Sequence, residues 1–507
     1  MRLLNDGTDS LILQGNGGFQ FPARLPSGSA YDVTLASYTS GAPCTINNGA
    51  GTIASSNVID IVVSCTAPSF TVGGTVSGLT AGESVTLLDN GGDALTINSN
   101  GSFTFATKVT QNNGYDVTAQ PPSGVDCPIA NENGTIDWAN VTNVTVSCNS
   151  PEELLYSFSG SDGQNPDAGL LMDGAGNFYG TTKYGGANGD GTVFKLSANG
   201  TETVLYSFAG GSADGANPAA PLIMDSAGNL YGTTVGGGPR DDGTVFEVST
   251  SGTESVLYSL TGGTTDGANP YAAVVMDASG NLYGTTQSGG ASGLGTVFEI
   301  TAGGTESVLH SFAGGTADGA APDAALILDR SGNLFGTTSS GGAHAEGTVF
   351  ELSAGGAESI LYSFAGGTAD GETPFSGLVM NGTGDLFGTT SSGGAHGHGV
   401  VFKLGAGGTE SVLYSFGSGS DAAFPESDLI LDSAGNLYGT ALEGGQFGAG
   451  AVFELATDGT ESILHSFDIT YGSDPGEQRL VMDSAGNIYG TTQHGGANSD
   501  GVVFEVR

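Results

Sequence analysis

From residue 151 to the end, short apolar runs alternate with clusters of Gly, Ser, Asn and Asp, and helical spacing of apolar positions never competes. Residues 219–260 show the pattern. Leu222-Ile223-Met224 runs into a turn, Asp225-Ser226-Ala227-Gly228-Asn229. Leu230-Tyr231-Gly232-Thr233-Thr234 follows, and a Gly-rich loop over 236–242 leads to Thr244-Val245-Phe246-Glu247-Val248. A second turn at 249–252 precedes the run from Glu254 to Leu260. Four short runs separated by turn residues predict a four-stranded antiparallel sheet.

The unit recurs. The Phe that ends its fourth run (Leu once) falls at Phe158, Phe208, Leu260, Phe312, Phe364, Phe416 and Phe467, in steps of 50 to 52 residues. A period near 50 with four strands per unit predicts a seven-bladed β-propeller over 151–507. The seventh unit stops after its third run, Val502–Val506, whereas an orphan fourth run, Glu153–Phe158, precedes the first unit. Pairing the two closes a ring; a solenoid would leave two open edges.

The first 150 residues are also all-β but repeat differently. Tyr31-Asp32-Val33-Thr34 returns as Tyr115-Asp116-Val117-Thr118, and Cys44 and Cys65 return as Cys127 and Cys148, 83 residues on. Alternating strands with frequent turns predict two small Ig-like β-sandwich modules, 1–67 and 68–150. Four Cys allow three connectivities. The duplication selects Cys44–Cys65 and Cys127–Cys148, loops worth roughly 3 kcal/mol each and suited to an oxidising compartment. Zinc is a poor reading, with no C-x-x-C and no neighbouring His. The first module is truncated: Leu3-Leu4-Asn5-Asp6-Gly7 aligns with Leu87–Gly91, so the opening strand is missing, as is a signal peptide. Met1 is therefore expected to be an internal start or a fragment boundary, the alternative being a sandwich that borrows a strand from a partner.

Charge narrows the function. Ten Lys and Arg face 52 Asp and Glu, a formal net charge of −42. No basic stripe exists to displace counterions from nucleic acid or to hold an anionic membrane surface, and no apolar stretch is long enough to insert. The expectation is a secreted or cell-surface monomer.

The unit Asp225–Thr234 with Gly243–Glu247, repeated seven times, resembles the GloVer tandem repeat of Gloeobacter and Verrucomicrobia-type proteins. Departures are mild: Ala441 replaces the last Thr, and Asn381 and Asp385 exchange the usual Asp and Asn. The resemblance implies a secreted or surface-anchored bacterial protein and brings no catalytic motif.

In a propeller the loops between second and third strands share a face with the loops joining blades. Here the first set varies: Lys183 and Tyr184; Arg240, Asp241 and Asp242; His344 and Glu346; His396 and His398; Glu443 and Phe447; His494 and Asp500. The joining loops add Tyr271, Asp323, Phe375, Glu426, Asp428, Glu477 and Arg479. Tyr184, Arg240, Asp241, Tyr271, His344, Phe375, His396, His398 and Phe447 are the candidate ligand contacts, weighed against exposed loops that vary freely. His344, His396 and His398 are weak metal candidates. A recurring Asp (Asp162, Asp214, Asp266, Asp318, Asp370, Asp421 and Asp474) is read as a turn former, with a Ca²⁺ ring as the alternative; otherwise no cofactor is called for. Asp173, Asp225, Asp277, Asp329, Asp432 and Asp483 are read as turn formers of the inner hairpin. Two functions stay open: a binding protein whose propeller face recognises carbohydrate or protein, and an extracellular polysaccharide-active hydrolase or lyase. Peptide mapping without reduction should return Cys44–Cys65 and Cys127–Cys148; a Cys65–Cys127 link would overturn the two-module division.

Overall fold

The computed structural model describes residues 1–37, 43–77, 79, 84–121, 127–148, 152–417, 421–468, 472–475 and 479–507. It is all β among the described residues and divides into two compact units, Met1–Ser150 and Pro151–Arg507.

The second unit holds seven four-stranded antiparallel sheets, six of them paired in chain order. The first comprises Leu171–Met172, Phe178–Thr182, Thr192–Leu196 and Glu202–Ser207. The second comprises Ile223–Met224, Leu230–Thr234, Thr244–Val248 and Glu254–Ser259. The seventh takes three strands from the chain's end, Val481–Met482, Ile488–Thr492 and Val502–Val506, and its fourth from Glu152–Ser157. That pairing runs antiparallel from Glu152 opposite Val506 to Ser157 opposite Val502.

The recurring residues explain the packing. The Gly of each L-Y-G-T-T lies opposite the Phe of the third strand, as Gly232 opposite Phe246. A Cβ on Gly232 would stand 2.7 Å from that ring, so only Gly admits it. The same ring meets, edge to face, the Phe that ends the preceding sheet: Phe208 and Phe246 have centroids 5.0 Å apart. Phe158, after the seventh sheet's borrowed strand, meets Phe194 of the first sheet at 5.0 Å. The cycle of packed sheets therefore closes. Leu260 keeps its position fully buried without a ring. The two Thr divide their work. Thr233 donates its hydroxyl to the Ala272 carbonyl of the following sheet at 3.1 Å, and Thr491 donates likewise to Ala168 at 3.2 Å, crossing from the seventh sheet to the first. Thr234 shares a 2.7 Å hydrogen bond with Thr244 within its own sheet. At the inner hairpin Asp225 accepts from the Ala227 and Asn229 N–H groups, the turn its sequence predicts.

A carboxylate pair marks the outer seam between consecutive sheets. Asp214 accepts from the Tyr206 hydroxyl at 2.9 Å and the Ala209 N–H at 2.7 Å, and Glu254 of the next sheet lies beside it. The recurring Asp thus forms a turn, as expected, at Asp162, Asp214, Asp266, Asp318, Asp370 and Asp421. Asp474 does not belong to this set. It stands with Asn165, Asn217, Asn269, Ala321, Thr373 and Phe424 immediately before the junction Pro, all at φ between 52° and 57°. Each of these donates its N–H to the preceding sheet's loop. Relative to the junction Pro, Asp474 lies three places later than the recurring Asp.

In the first unit the described residues carry the duplication. Disulfides join Cys44 to Cys65 and Cys127 to Cys148. The second half has two four-stranded sheets, with Val72, Val85, Leu87, Phe103, Phe105 and Val144 in one buried cluster. The first half has one four-stranded sheet and the Cys44–Asn47/Val62–Cys65 ribbon, and among its described hydrophobic residues only Leu3 and Val33 are buried.

Deleting residues 151–158 should expose the Val502–Val506 edge, lower the melting temperature and promote association; unchanged stability would contradict strand-mediated closure. Stability should also depend on pH. Burial, reinforced by the neighbouring Asp, raises Glu202, Glu254, Glu306, Glu410 and Glu461 to about 7. These groups bind protons more tightly folded than unfolded, so their stabilisation is complete below pH 4.5 and is lost as pH rises through 7. The turn Asp residues act oppositely. Burial opposes the Asp225 charge, but N–H donors outweigh it and hold its carboxyl below 3.8, so that contribution is lost only in stronger acid. The melting temperature should peak near pH 5 and fall towards pH 8; a flat or rising profile would refute the seam assignment.

Candidate functional site

The strands that open the seven sheets surround one cavity of about 720 Å³. Its wall is aliphatic and thioether, with Leu171, Ile223, Val275, Ile327, Val379, Ile430 and Val481 at one level and Met172, Met224, Leu328, Met380, Leu431 and Met482 at the next. Each strand is too short to do more than line this cavity and hold the second strand. A second cavity of about 620 Å³ lies at the inner-hairpin turns of the second and third sheets. Its Asp225 and Asp277 are already engaged in their turns.

Chemistry enters at the end where the joining loops meet the inner strands. The residue two before the first aliphatic position reads Gly169, Pro221, Ala273, Ala325, Gly377, Asp428 and Arg479. Five are small; the acid and the base are neighbours. Asp428 accepts the Gly377 N–H at 2.5 Å. Protein atoms surround it, yet it keeps surface towards the cavity. Burial raises its pKa while the Arg479 charge opposes the rise. Arg479 is exposed.

Just outside lies a second ring, the residues after the junction Pro. Asp167 pairs with Lys183 of its own sheet at 3.2 Å and accepts from Gln493 of the seventh at 2.7 Å. Asp323 accepts from Ser339 of its own sheet at 2.9 Å and from Gln287 of the third at 2.7 Å. Burial raises Asp323 and Glu426. Burial disfavours the Lys183 charge, but Asp167 outweighs it and keeps the ammonium protonated above its ordinary value, with Tyr271 adding to the effect. Charges are unevenly spread around the mouth: Arg479 and the Lys183–Asp167 pair sit on sheets seven and one, Asp323, Glu426 and Asp428 on sheets four and six.

Of the sequence candidates, Tyr271 and Phe375 occupy this outer ring, both half-buried. The rest scatter. Arg240 reaches away from the cavity and donates to the Thr261 carbonyl, beyond the outermost strand, at 2.9 Å. Asp241 accepts the Gly237 N–H within its own loop at 2.7 Å. Tyr184 and Phe447 are exposed by 43% and 49%, each on a different sheet. His344 and His396 are exposed at loop tips, whereas His398 packs edge-on against Phe424 at 5.1 Å. Among the described residues these three imidazoles form no metal-ligating group. Glu477 lies outside the described residues. Loop variability drew attention to the tips; the Asp428–Arg479 contrast emerges only when the joining loops are aligned on the inner strand.

The chain is thus an all-β repeat protein whose second unit sets seven sheets around a cavity with a charged mouth. It belongs to the Gloeobacter/Verrucomicrobia repeat family, whose sequence model matches residues 72–265, 113–350, 225–384 and 325–507. No curated protein matches the sequence. Similar solved structures include two extracellular domains from B. thetaiotaomicron. That of the protein assigned as hybrid two-component system BT4673 is 10% identical with a TM-score of 0.47 over 70% of this chain. That of BT3049, assigned to the same class, is 12% identical with a TM-score of 0.45 over 79%. This chain spans 39% and 49% of their respective lengths.

Proposed function

We propose that the seven sheets are the blades of a β-propeller, that the first unit consists of Ig-like modules, and that the whole is an extracellular binding protein. Its ligand site is the mouth of the central cavity, and the ligand class is a carbohydrate bearing a carboxylate. The observation that carries this reading is the Asp428–Arg479 pair in a ring of otherwise small residues. A guanidinium beside an apolar shaft is suited to a carboxylate through a charge-assisted bidentate contact. The acids on sheets four and six are placed to accept from sugar hydroxyls, and Tyr271 and Phe375 offer ring faces. Two disulfides, with no free Cys, support an oxidising location.

The test is a glycan array of neutral and uronate-containing oligosaccharides, with Arg479→Ala and Asp428→Asn compared at matched melting temperature and unsaturated and reducing-end products assayed in parallel. Acidic glycans should bind without turnover, and Arg479→Ala should weaken binding about tenfold or more. Retained affinity in both variants would remove the site from the mouth; product release would establish the enzyme reading instead.

A further inference from the structure

The outer seams differ at one position in a way the cavity does not use. The residue that reaches the recurring Asp is Tyr at five described seams: Tyr156, Tyr206, Tyr258, Tyr362 and Tyr414. Between the third and fourth sheets it is His310. There His310, Asp318 and Glu358 each present a ligand atom, all within 4.8 Å of one another, the one such group among the described residues.

We propose that His310, Asp318 and Glu358 form a site for a borderline divalent cation of the zinc class, with its remaining coordination positions open to solvent. Four features support it. First, the donor set is one imidazole and two carboxylates, which suits zinc and neighbouring first-row metals. Second, His310 Nε2 stands 3.3 Å from Asp318 Oδ2 and 3.4 Å from Oδ1. Those separations are long for a hydrogen bond, and two ligands each about 2.0–2.1 Å from a tetrahedral zinc stand about 3.3 Å apart. Third, each Asp318 oxygen accepts one backbone N–H, from Ala313 and Gly319 at 2.7 Å, which fixes the carboxylate and leaves further lone pairs. Fourth, Glu358 Oε1 is buried without a hydrogen-bond partner, a state a cation would relieve. The equivalent Glu oxygen is also unpartnered at Tyr seams, but there the third group is a phenol that already donates to the Asp. The imidazole replaces that donor with a ligand.

The repeat supplies its own control. His310→Tyr installs the residue found at five other seams, so the fold should hold. Zinc titration calorimetry is run on protein lacking a histidine tag, in 150 mM salt with millimolar Ca²⁺ to occupy nonspecific carboxylates. Wild type should bind one Zn²⁺ equivalent more than His310→Tyr, and Zn²⁺ should raise its melting temperature more. Tyr258→His should add one equivalent. Glu358→Gln, nearly isosteric, serves if His310→Tyr is unstable and should weaken the site at least tenfold. Equal stoichiometry and affinity in wild type and His310→Tyr, or no binding by wild type up to about 1 mM Zn²⁺, would overturn the proposal.

Discussion

The second unit depends on one contact made repeatedly: a Phe ring laid over a Gly on its own sheet and met at a steep angle by the Phe that ends the sheet before. Burying such a ring is worth about 2–3 kcal/mol, and the edge-to-face partner adds about 1 kcal/mol. Neither stabilisation is available to a sheet alone, because the residue packed on the ring, Phe at six positions and Leu260 at the seventh, comes from a neighbour. A single four-stranded sheet of such short strands has too little apolar area to persist in water. The sheets are thus stable collectively, and the spacing between Phe positions can vary by only a residue or two.

This explains what could be read from sequence. Gly232, Phe246, Thr233 and Asp225 recur because each serves sheet geometry, so their repetition exposed strand count, turn chemistry and the strand shared between the ends. The Asp474 misalignment shows the limit. An Asp in a connection of altered length can occupy the αL position before Pro instead of the turn, and only the hydrogen bonds distinguish the two.

The site was less legible because chemistry here resides in exceptions to the repeat. Arg240, His344 and His396 are rare residues in loops, but loop tips diverge in space and their side chains meet nothing in common. Asp428 and Arg479 are ordinary residues in sequence. Their significance comes from an inner ring where five counterparts are Gly, Ala or Pro. His310 was visible only as a substitution in a Tyr column, and its proximity to Glu358 required knowing that outer strands of adjacent sheets converge at a seam.

The strand Glu152–Ser157 pairs with Val502–Val506, and this has a consequence for biogenesis. A chain released progressively from a ribosome or an export channel presents the first partner hundreds of residues before the second. Until the last segment arrives, that strand has no sheet partner on either edge and the first sheet lacks a neighbour on one side. Closing so long a loop is entropically costly and slow relative to local hairpin formation. The protein would therefore pass through an open six-sheet arc whose two raw edges are complementary to each other and, equally, to those of another unfinished chain. Correct assembly becomes a competition between self-closure and exchange of that strand between molecules, decided by the local concentration of nascent chains.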